Sequence, residues 1–224
     1  MADLVREDHD GTVFMRMTRA PVNALGPDML AEFDETLDEL SSAPPAGGLV
    51  IAGLERSFCA GIDTKALAGF APDEKTAALA RIDSIMAKLY SLPVPTVAAV
   101  RGHAIGAGFI MALACDWKFL ASGPGKLGLN QVAVGLKYPP VPLNITLREI
   151  PQPHLRRLTL SGVLMTTDET AALDLFDAYV TPDVLEQTAI AKAKELSAHQ
   201  GFGMVKAQVR GETALMLRGL AGLD

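Results

Sequence analysis

Two short apolar runs constrain this chain more than anything else in it. Leu49-Val50-Ile51-Ala52-Gly53 and Thr96 to Val100 are too short for ordinary helices, and each is followed by a turn rich in small residues. Continuous apolar runs of about four to eight residues bounded by turn signals read as strands buried on both faces.

The intervening sequence reads as helical. Gly26-Pro27 opens a helix with proline in its first turn. Met29, Leu30, Phe33, Leu37 and Leu40 form its apolar stripe, and Pro44, Pro45, Gly47 and Gly48 stop it. A second helical stretch runs from about Asp73 to Tyr90 and ends at Leu92-Pro93-Val94-Pro95. Thr12 to Thr18 partly alternates and is rich in β formers, so it predicts a strand before the first helix. Beyond the second apolar run, Gly102 to Gly108 is a glycine-rich turn and Phe109 to Cys115 a short apolar helix. Asp116 to Ala121 and Lys126 to Leu129 read as further strands.

The last third is helical. Thr166 with Glu169 predicts a capping box, and Thr181-Pro182 a second helix start. His199-Gln200-Gly201 is expected to end that helix with the glycine just past its C-terminus. Lys206 to Leu217 forms a last helix, weakened by Gly211. Strand–helix–strand repetition followed by helices alone argues an α/β core, residues 1–165, with a helical region over 166–224.

Composition excludes several functions. Lys plus Arg is 20 against 26 Asp plus Glu, a formal net charge of −6, whereas nucleic-acid binders concentrate basic residues. Only 8 Phe, 3 Tyr and 1 Trp are present, too few for base-stacking platforms. Hydrophobic residues at 49% give ample material for a core and no disorder signature. The most apolar stretch, Val97 to Leu120, is broken by Arg101, His103, Asp116 and Lys118, so no membrane span is expected. Two cysteines, Cys59 and Cys115, make neither a disulfide framework nor a zinc site, and the four histidines lack metal-ligand spacing. The expectation is a soluble protein of the reducing cytoplasm.

Two turns carry the chemical interest. Ser57 to Asp63 and Arg101 to Gly108 each follow a strand, and the second opens a helix. Small residues there let backbone amides face a ligand, and two converging amides are what an oxyanion needs. The same glycines equally serve tight turns and close packing. A third reading, a dinucleotide-binding turn at Gly102, Gly106 and Gly108, lacks the acidic residue expected about 20 positions on.

Pro21-Val22-Asn23-Ala24-Leu25, Phe58-Cys59-Ala60-Gly61-Ile62-Asp63-Thr64-Lys65 and Gly102-His103-Ala104-Ile105-Gly106-Ala107-Gly108 with Cys115-Asp116 resemble the crotonase (enoyl-CoA hydratase/isomerase) superfamily. They occur in that family's order and spacing. The resemblance covers roughly residues 10 to 200. It implies a crotonase-like spiral of ββα units and a helical C-terminal region that packs in trimers, or in a dimer of trimers. It implies an acyl-CoA thioester as substrate, with no cofactor beyond that coenzyme A. The amides of Ile62 and Ala107 would bind the thioester oxygen. Ala24, Ala60, Gly61, Asp63 and Lys65 would meet the CoA moiety, and Gly106, Ile110 and Leu136 the acyl end.

The family's proton-transfer residues are missing. Counted from Gly106-Ala107-Gly108, the first catalytic glutamate of a hydratase falls at Ile110, which moves no proton. Gly128-Leu129-Asn130-Gln131 and Tyr138 to Leu143 resemble the Δ3,Δ2-enoyl-CoA isomerase branch, whose single base follows Gly-Leu-Asn. Here that position is Gln131, an amide without useful basicity. Several readings stay open: an isomerase-type enzyme with altered activity, whose base is another carboxylate such as Asp63 or Glu149; a hydratase with an atypical base; a reaction needing only enolate stabilisation; an acyl-CoA binder without turnover; and a position 131 altered from Glu. The remaining signals read as structural. His103 is expected to orient a loop, Cys59 to pack as a small residue, and Asp116 to support the fold. Asp174 is expected at a helix end with left-handed backbone. Leu143, Ile145, Leu147 and Ile150 are expected in the core or the acyl-pocket wall.

Overall fold

The computed structural model describes residues 2–223. In chain order the first half comprises β1 (Leu4–His9), β2 (Thr12–Met17), α1 (Pro27–Ser42), β3 (Leu49–Ala52), β4 (Ser57–Cys59), α2 (Thr64–Ala68) and α3 (Pro72–Ser91). It continues with β5 (Thr96–Val100), β6 (His103–Ile105), α4 (Ala107–Ala114), β7 (Trp117–Ala121) and β8 (Leu127–Gly128). Then follow α5 (Gln131–Val134), α6 (Pro140–Glu149), α7 (Gln152–Leu160), α8 (Thr167–Ala171), β9 (Ala178–Val180), α9 (Leu185–Ser197) and α10 (Phe202–Leu220).

Two sheets organise the molecule. The larger has the order β1-β2-β3-β5-β7-β9, antiparallel only between β1 and β2. The smaller, β4-β6-β8, is parallel. The segments β3 to α3, β5 to α4 and β7 to α5 each contribute a strand to the large sheet, a short strand to the small one, and helix. Side chains alternate across the large sheet as the pleat requires. Met15, Met17, Leu49, Ile51, Ala98 and Val100 join the main core with Phe33, Leu37 and Tyr90. Phe14, Val50, Ala52, Val97, Ala99 and Phe119 face the other way, against Leu185, Ala189 and Ala193 of α9. This is the α/β crotonase-type architecture expected, and both apolar runs are fully buried central strands.

Several expectations need correction. β1, β4, β6 and β9 were not legible as strands: three of them have three residues each, and β1 is a polar strand that forms the sheet's antiparallel edge. Thr181-Pro182 does not start a helix but enters a turn, and α9 begins at Leu185. Gly201 is not a left-handed cap of α9, because its φ is −87° and it precedes α10. Leu143 and Leu147 are 37% and 46% exposed, whereas Ile145 and Ile150 are buried, since α6 presents only one face to the core. Asp174 does adopt a left-handed backbone, at φ 51°. The Thr166–Glu169 capping box is formed.

The C-terminal helix is fastened by charge. Asp116 sits between α4 and β7, and its Oδ2 accepts from the Thr96 backbone N–H (2.9 Å), the Thr96 hydroxyl (3.0 Å) and Lys206 Nζ (2.6 Å). Arg210 reaches Asp116 Oδ1 at 3.2 Å and Glu149 Oε2 at 3.2 Å, and lies 4.3 Å over the Tyr90 ring. Burial pulls the Lys206 ammonium below its ordinary pKa, and Asp116 counteracts part of that. A buried charge stripped of its partner is costly, typically about 3–5 kcal/mol. Lys206→Met leaves Asp116 with Arg210 and Thr96, so a loss near the lower end, about 3 kcal/mol, is expected, read as a lower urea midpoint.

Candidate active site

The first wall of the site is stitched from two distant segments. Asn23, held at φ 51°, donates through Nδ2 to the carbonyls of Ser57 (3.0 Å) and Phe58 (3.1 Å). The Ala60 amide donates to Val22 (3.0 Å), the Leu25 amide to Gly61 (2.8 Å) and the Asp63 amide to Leu25 (3.1 Å). In this parallel bridge Leu25 engages the residues on either side of Ile62, so the N–H of Ile62 itself faces away from Leu25. Arg19 braces the arrangement, donating to the Ala24 carbonyl (2.7 Å) and to Asp63 Oδ2 (2.9 Å).

The second wall is the start of α4. Gly106, at φ 54°, turns the chain so that Ala107 becomes the first helical residue. Its N–H has no intrahelical acceptor and lies at the positive end of the helix. The two walls touch through backbone. A Cβ on Gly61, whose φ is +84°, would lie 2.6 Å from the Ile105 oxygen and 3.3 Å from the Ala107 nitrogen. A Cβ on Gly108 would collide with the Cys59 carbonyl. Cys59 is buried at this contact, and burial pushes its thiol up to about 12. It is a packed residue and not a nucleophile, which requires the thiolate.

Between the walls lies a cavity of about 150 Å³. Of the sequence-predicted residues, Ala60, Gly61, Ile62, Gly106, Ala107, Ile110, Gln131 and Leu136 line it. Ala24, Asp63 and Lys65 do not. Ala24 offers its carbonyl to Arg19, Lys65 is exposed on α2, and Asp63 caps that helix by accepting from the Ala66 amide (3.0 Å). Sequence reasoning missed Thr64, Ile82, Asn130, Val134, Lys137, Pro139 and Pro142 as lining residues. Thr64, Asn130, Pro139 and Pro142 lie inside the quoted motifs and Lys137 beside one, which was the available signal. Ile82 comes from α3, far away in sequence, and carried none.

The polar chemistry of the cavity is sparse. Gln131, the first residue of α5, is 9% exposed, and its Oε1 is buried without a hydrogen bond. Ile110 is buried and apolar. Among the described residues, the lining contains no carboxylate, and its one charged side chain is Lys137, exposed at the rim. The carboxylates suggested as substitute bases are engaged elsewhere. The Ala66 amide and Arg19 hold Asp63 below the usual carboxylate range. Glu149 is taken up by Tyr90 (2.7 Å) and Arg210. Asp83, adjacent to Ile82, accepts from the Val141 amide (2.9 Å) at the start of α6, and burial raises its pKa. His103 accepts the Lys126 amide at Nδ1 (3.1 Å) and holds a loop. No group of three or more His, Cys, Asp or Glu among the described residues has metal-site geometry. The cavity thus lies where two backbone segments meet, and its described lining holds no carboxylate or imidazole.

The comparisons agree with this architecture. The model of the enoyl-CoA hydratase/isomerase family matches residues 7–218. The chain is 32% identical over 185 residues to a probable enoyl-CoA hydratase, echA17, of Mycobacterium avium, covering 82% of this chain and 71% of that protein. It is 29% identical over 208 residues to the peroxisomal enoyl-CoA delta isomerase 2 of Arabidopsis thaliana, covering 88% and 86%. The crystal structure of the enoyl-CoA hydratase EchA3 of Mycobacterium ulcerans superposes with a TM-score of 0.88 at 24% identity, covering 98% of this chain and 96% of that one. Among the described residues no helix is long and apolar enough to cross a membrane. The chain belongs to the enoyl-CoA hydratase/isomerase family.

Proposed function

We propose that this protein binds acyl-CoA thioesters and stabilises their enolates through the backbone amides of Ile62 and Ala107, in a pocket of the enoyl-CoA isomerase type. The observation that carries the reading is the meeting of those two amide-bearing segments at Gly61 and Gly108 around one cavity. An amide pair in a largely apolar cavity favours the oxygen as charge develops on it, more strongly than water would. Coenzyme A enters as part of the substrate, with no separate cofactor. Proton transfer is the deficient step, because Ile110 and Gln131 stand where relatives of this type are expected to carry carboxylates. Simple hydration is disfavoured for the same reason. The lack of a lining carboxylate also favours a second reading, an acyl-CoA binder without turnover. A thioester panel of saturated, 2-enoyl and 3-enoyl CoA, followed for binding and turnover together, separates the two.

The hole is tested by Ala107→Pro. Proline is tolerated at the first position of a helix but has no N–H. The fold is expected to survive and turnover to fall by about a hundred- to a thousandfold, with CoA affinity little changed. Unchanged affinity for an enolate analogue would remove the hole from the site.

Gln131→Glu tests the missing base. The carboxylate has nearly the shape of the amide, and its apolar surroundings would raise its pKa towards neutrality. Isomerisation of 3-enoyl-CoA is expected to rise by about a hundred- to ten-thousandfold, while hydration of 2-enoyl-CoA stays slow because Ile110 is unchanged.

The assembly we propose is a homotrimer or dimer of trimers using the helical region 166–224. Met204, Val205, Val209 and Leu215 of α10 are 52–75% exposed, an apolar face of the sort that partners cover. Sedimentation at micromolar concentration checks this, and a monomer alone would contradict it.

A further inference from the structure

We infer that a second cavity, at the opposite end of the small sheet from the candidate active site, binds a small molecule carrying two linked phosphate groups. The three strands of that sheet run parallel, and each spans only two or three residues. Their C-terminal ends lead towards Ala60, Gly106 and Asn130 at the first cavity. Their N-terminal ends emerge from Arg56, Gly102 and Lys126, which line a separate cavity of about 630 Å³. Among the described residues, none lines both.

The fold gathers positive charge there. Arg56, Arg101 and Lys126 each stand at the entry to one of the three strands, so strand pairing brings together cations that are far apart in sequence. Glycines make the approach close. A Cβ on Gly102, at φ +71°, would collide with the Arg56 carbonyl, and one on Gly125 with the Gly102 carbonyl. Cations assembled in this way repel one another unless an anion joins them. Little in the protein neutralises them. Arg56 and Lys126 form no ion pair among the described residues. Arg101 is 3.9 Å from Glu55, whose side chain is 83% exposed, so that pair is weak. Asp168, the other carboxylate of the lining, accepts the Tyr179 hydroxyl at 2.5 Å.

The donor set selects phosphate. A guanidinium presents a fork that matches phosphate oxygens, and an ammonium adds a point charge. Ser122 contributes a hydroxyl to the lining and His103 a ring. His103 Nδ1 accepts the Lys126 amide at 3.1 Å, so the neutral ring carries its proton on Nε2, a further donor. The outer strands lie about 10 Å apart, two strand spacings, and cations so spread are matched better by two linked phosphates than by one. The volume falls in the range of small-molecule sites, about 300–1,000 Å³. Among the described residues the lining contains no Phe, Tyr or Trp. Nothing there stacks on a nucleobase, so a diphosphate is expected to bind equally with or without one.

Calorimetry on the purified full chain tests this with inorganic pyrophosphate, ADP, orthophosphate and adenosine. Pyrophosphate and ADP are expected to bind with similar affinity, orthophosphate at least about tenfold more weakly, and adenosine not at all. Arg56→Ala and Lys126→Ala, both at exposed residues, are each expected to weaken pyrophosphate about ten- to a hundredfold. Lys137→Ala, at the first cavity, is expected to leave pyrophosphate affinity unchanged. Failure of both pyrophosphate and ADP to bind would overturn the inference, as would binding that survives the Arg56 and Lys126 substitutions. Loss of binding in Lys137→Ala alone would move the anion to the first cavity. Binding of ADP without pyrophosphate would show that the nucleoside is read and not the phosphates. None of these outcomes bears on the thioester reading, which concerns the other cavity.

Discussion

The backbone contact between β4 and the start of α4 is the constraint on which the site depends. Gly61 and Gly108 meet the Ile105 and Cys59 carbonyls at distances no side chain allows. That contact sets the separation of the Ile62 and Ala107 amides. Gly106, at positive φ, then aims the first turn of α4 into the cavity. Hydrogen bonds from Asn23 and the Val22, Leu25 and Gly61 backbone hold the opposite side. The two amides proposed as the hole are therefore positioned by main chain, and the proposal requires no side-chain movement. Such pre-organisation is what makes backbone donors effective against developing charge.

The far end of α4 is held as firmly. Arg210 donates to the Ala114 carbonyl (2.9 Å) and the Cys115 carbonyl (3.3 Å), the last acceptors of that helix. A cation there also complements the negative end of the helix dipole. The same guanidinium pairs with Asp116 and Glu149, so α10 reaches the active-site helix through a buried ionic cluster. This explains why Glu149 is unsuited to proton transfer: its charge is committed to structure. Asp63 is committed likewise, to Arg19 and the cap of α2. Carboxylates in this chain stabilise the frame, and the cavity is left to neutral groups and one lysine.

Family membership and local chemistry thus point to different levels of function. The fold and sequence place the chain in the enoyl-CoA hydratase/isomerase family. Inside the cavity stand Ile110 and Gln131, neither of which moves a proton, beside the two backbone amides we propose as the oxyanion hole.

Much of the frame was legible in the sequence because its signals are local. The buried runs at Leu49 and Thr96, the stripe of α1, the capping box at Thr166 and the left-handed Asp174 each follow from period, turn chemistry or backbone sterics within a few residues. The motifs around Gly61 and Ala107 likewise mark where the two walls of the cavity meet, because glycine leaves a trace wherever backbone meets backbone. What the sequence could not determine is partnership across long separations. Strands of three residues such as β4 and β6 have too few positions to show a pattern, and only pairing defines them. That Glu149 serves Arg210 and not substrate, that Ile82 reaches the cavity from α3, and that Lys137 stands alone at its rim were decided by tertiary packing. The physical reason is that a side chain's charge and hydrogen bonds are settled by whatever the fold brings beside it, and neither propensity nor spacing encodes that neighbour.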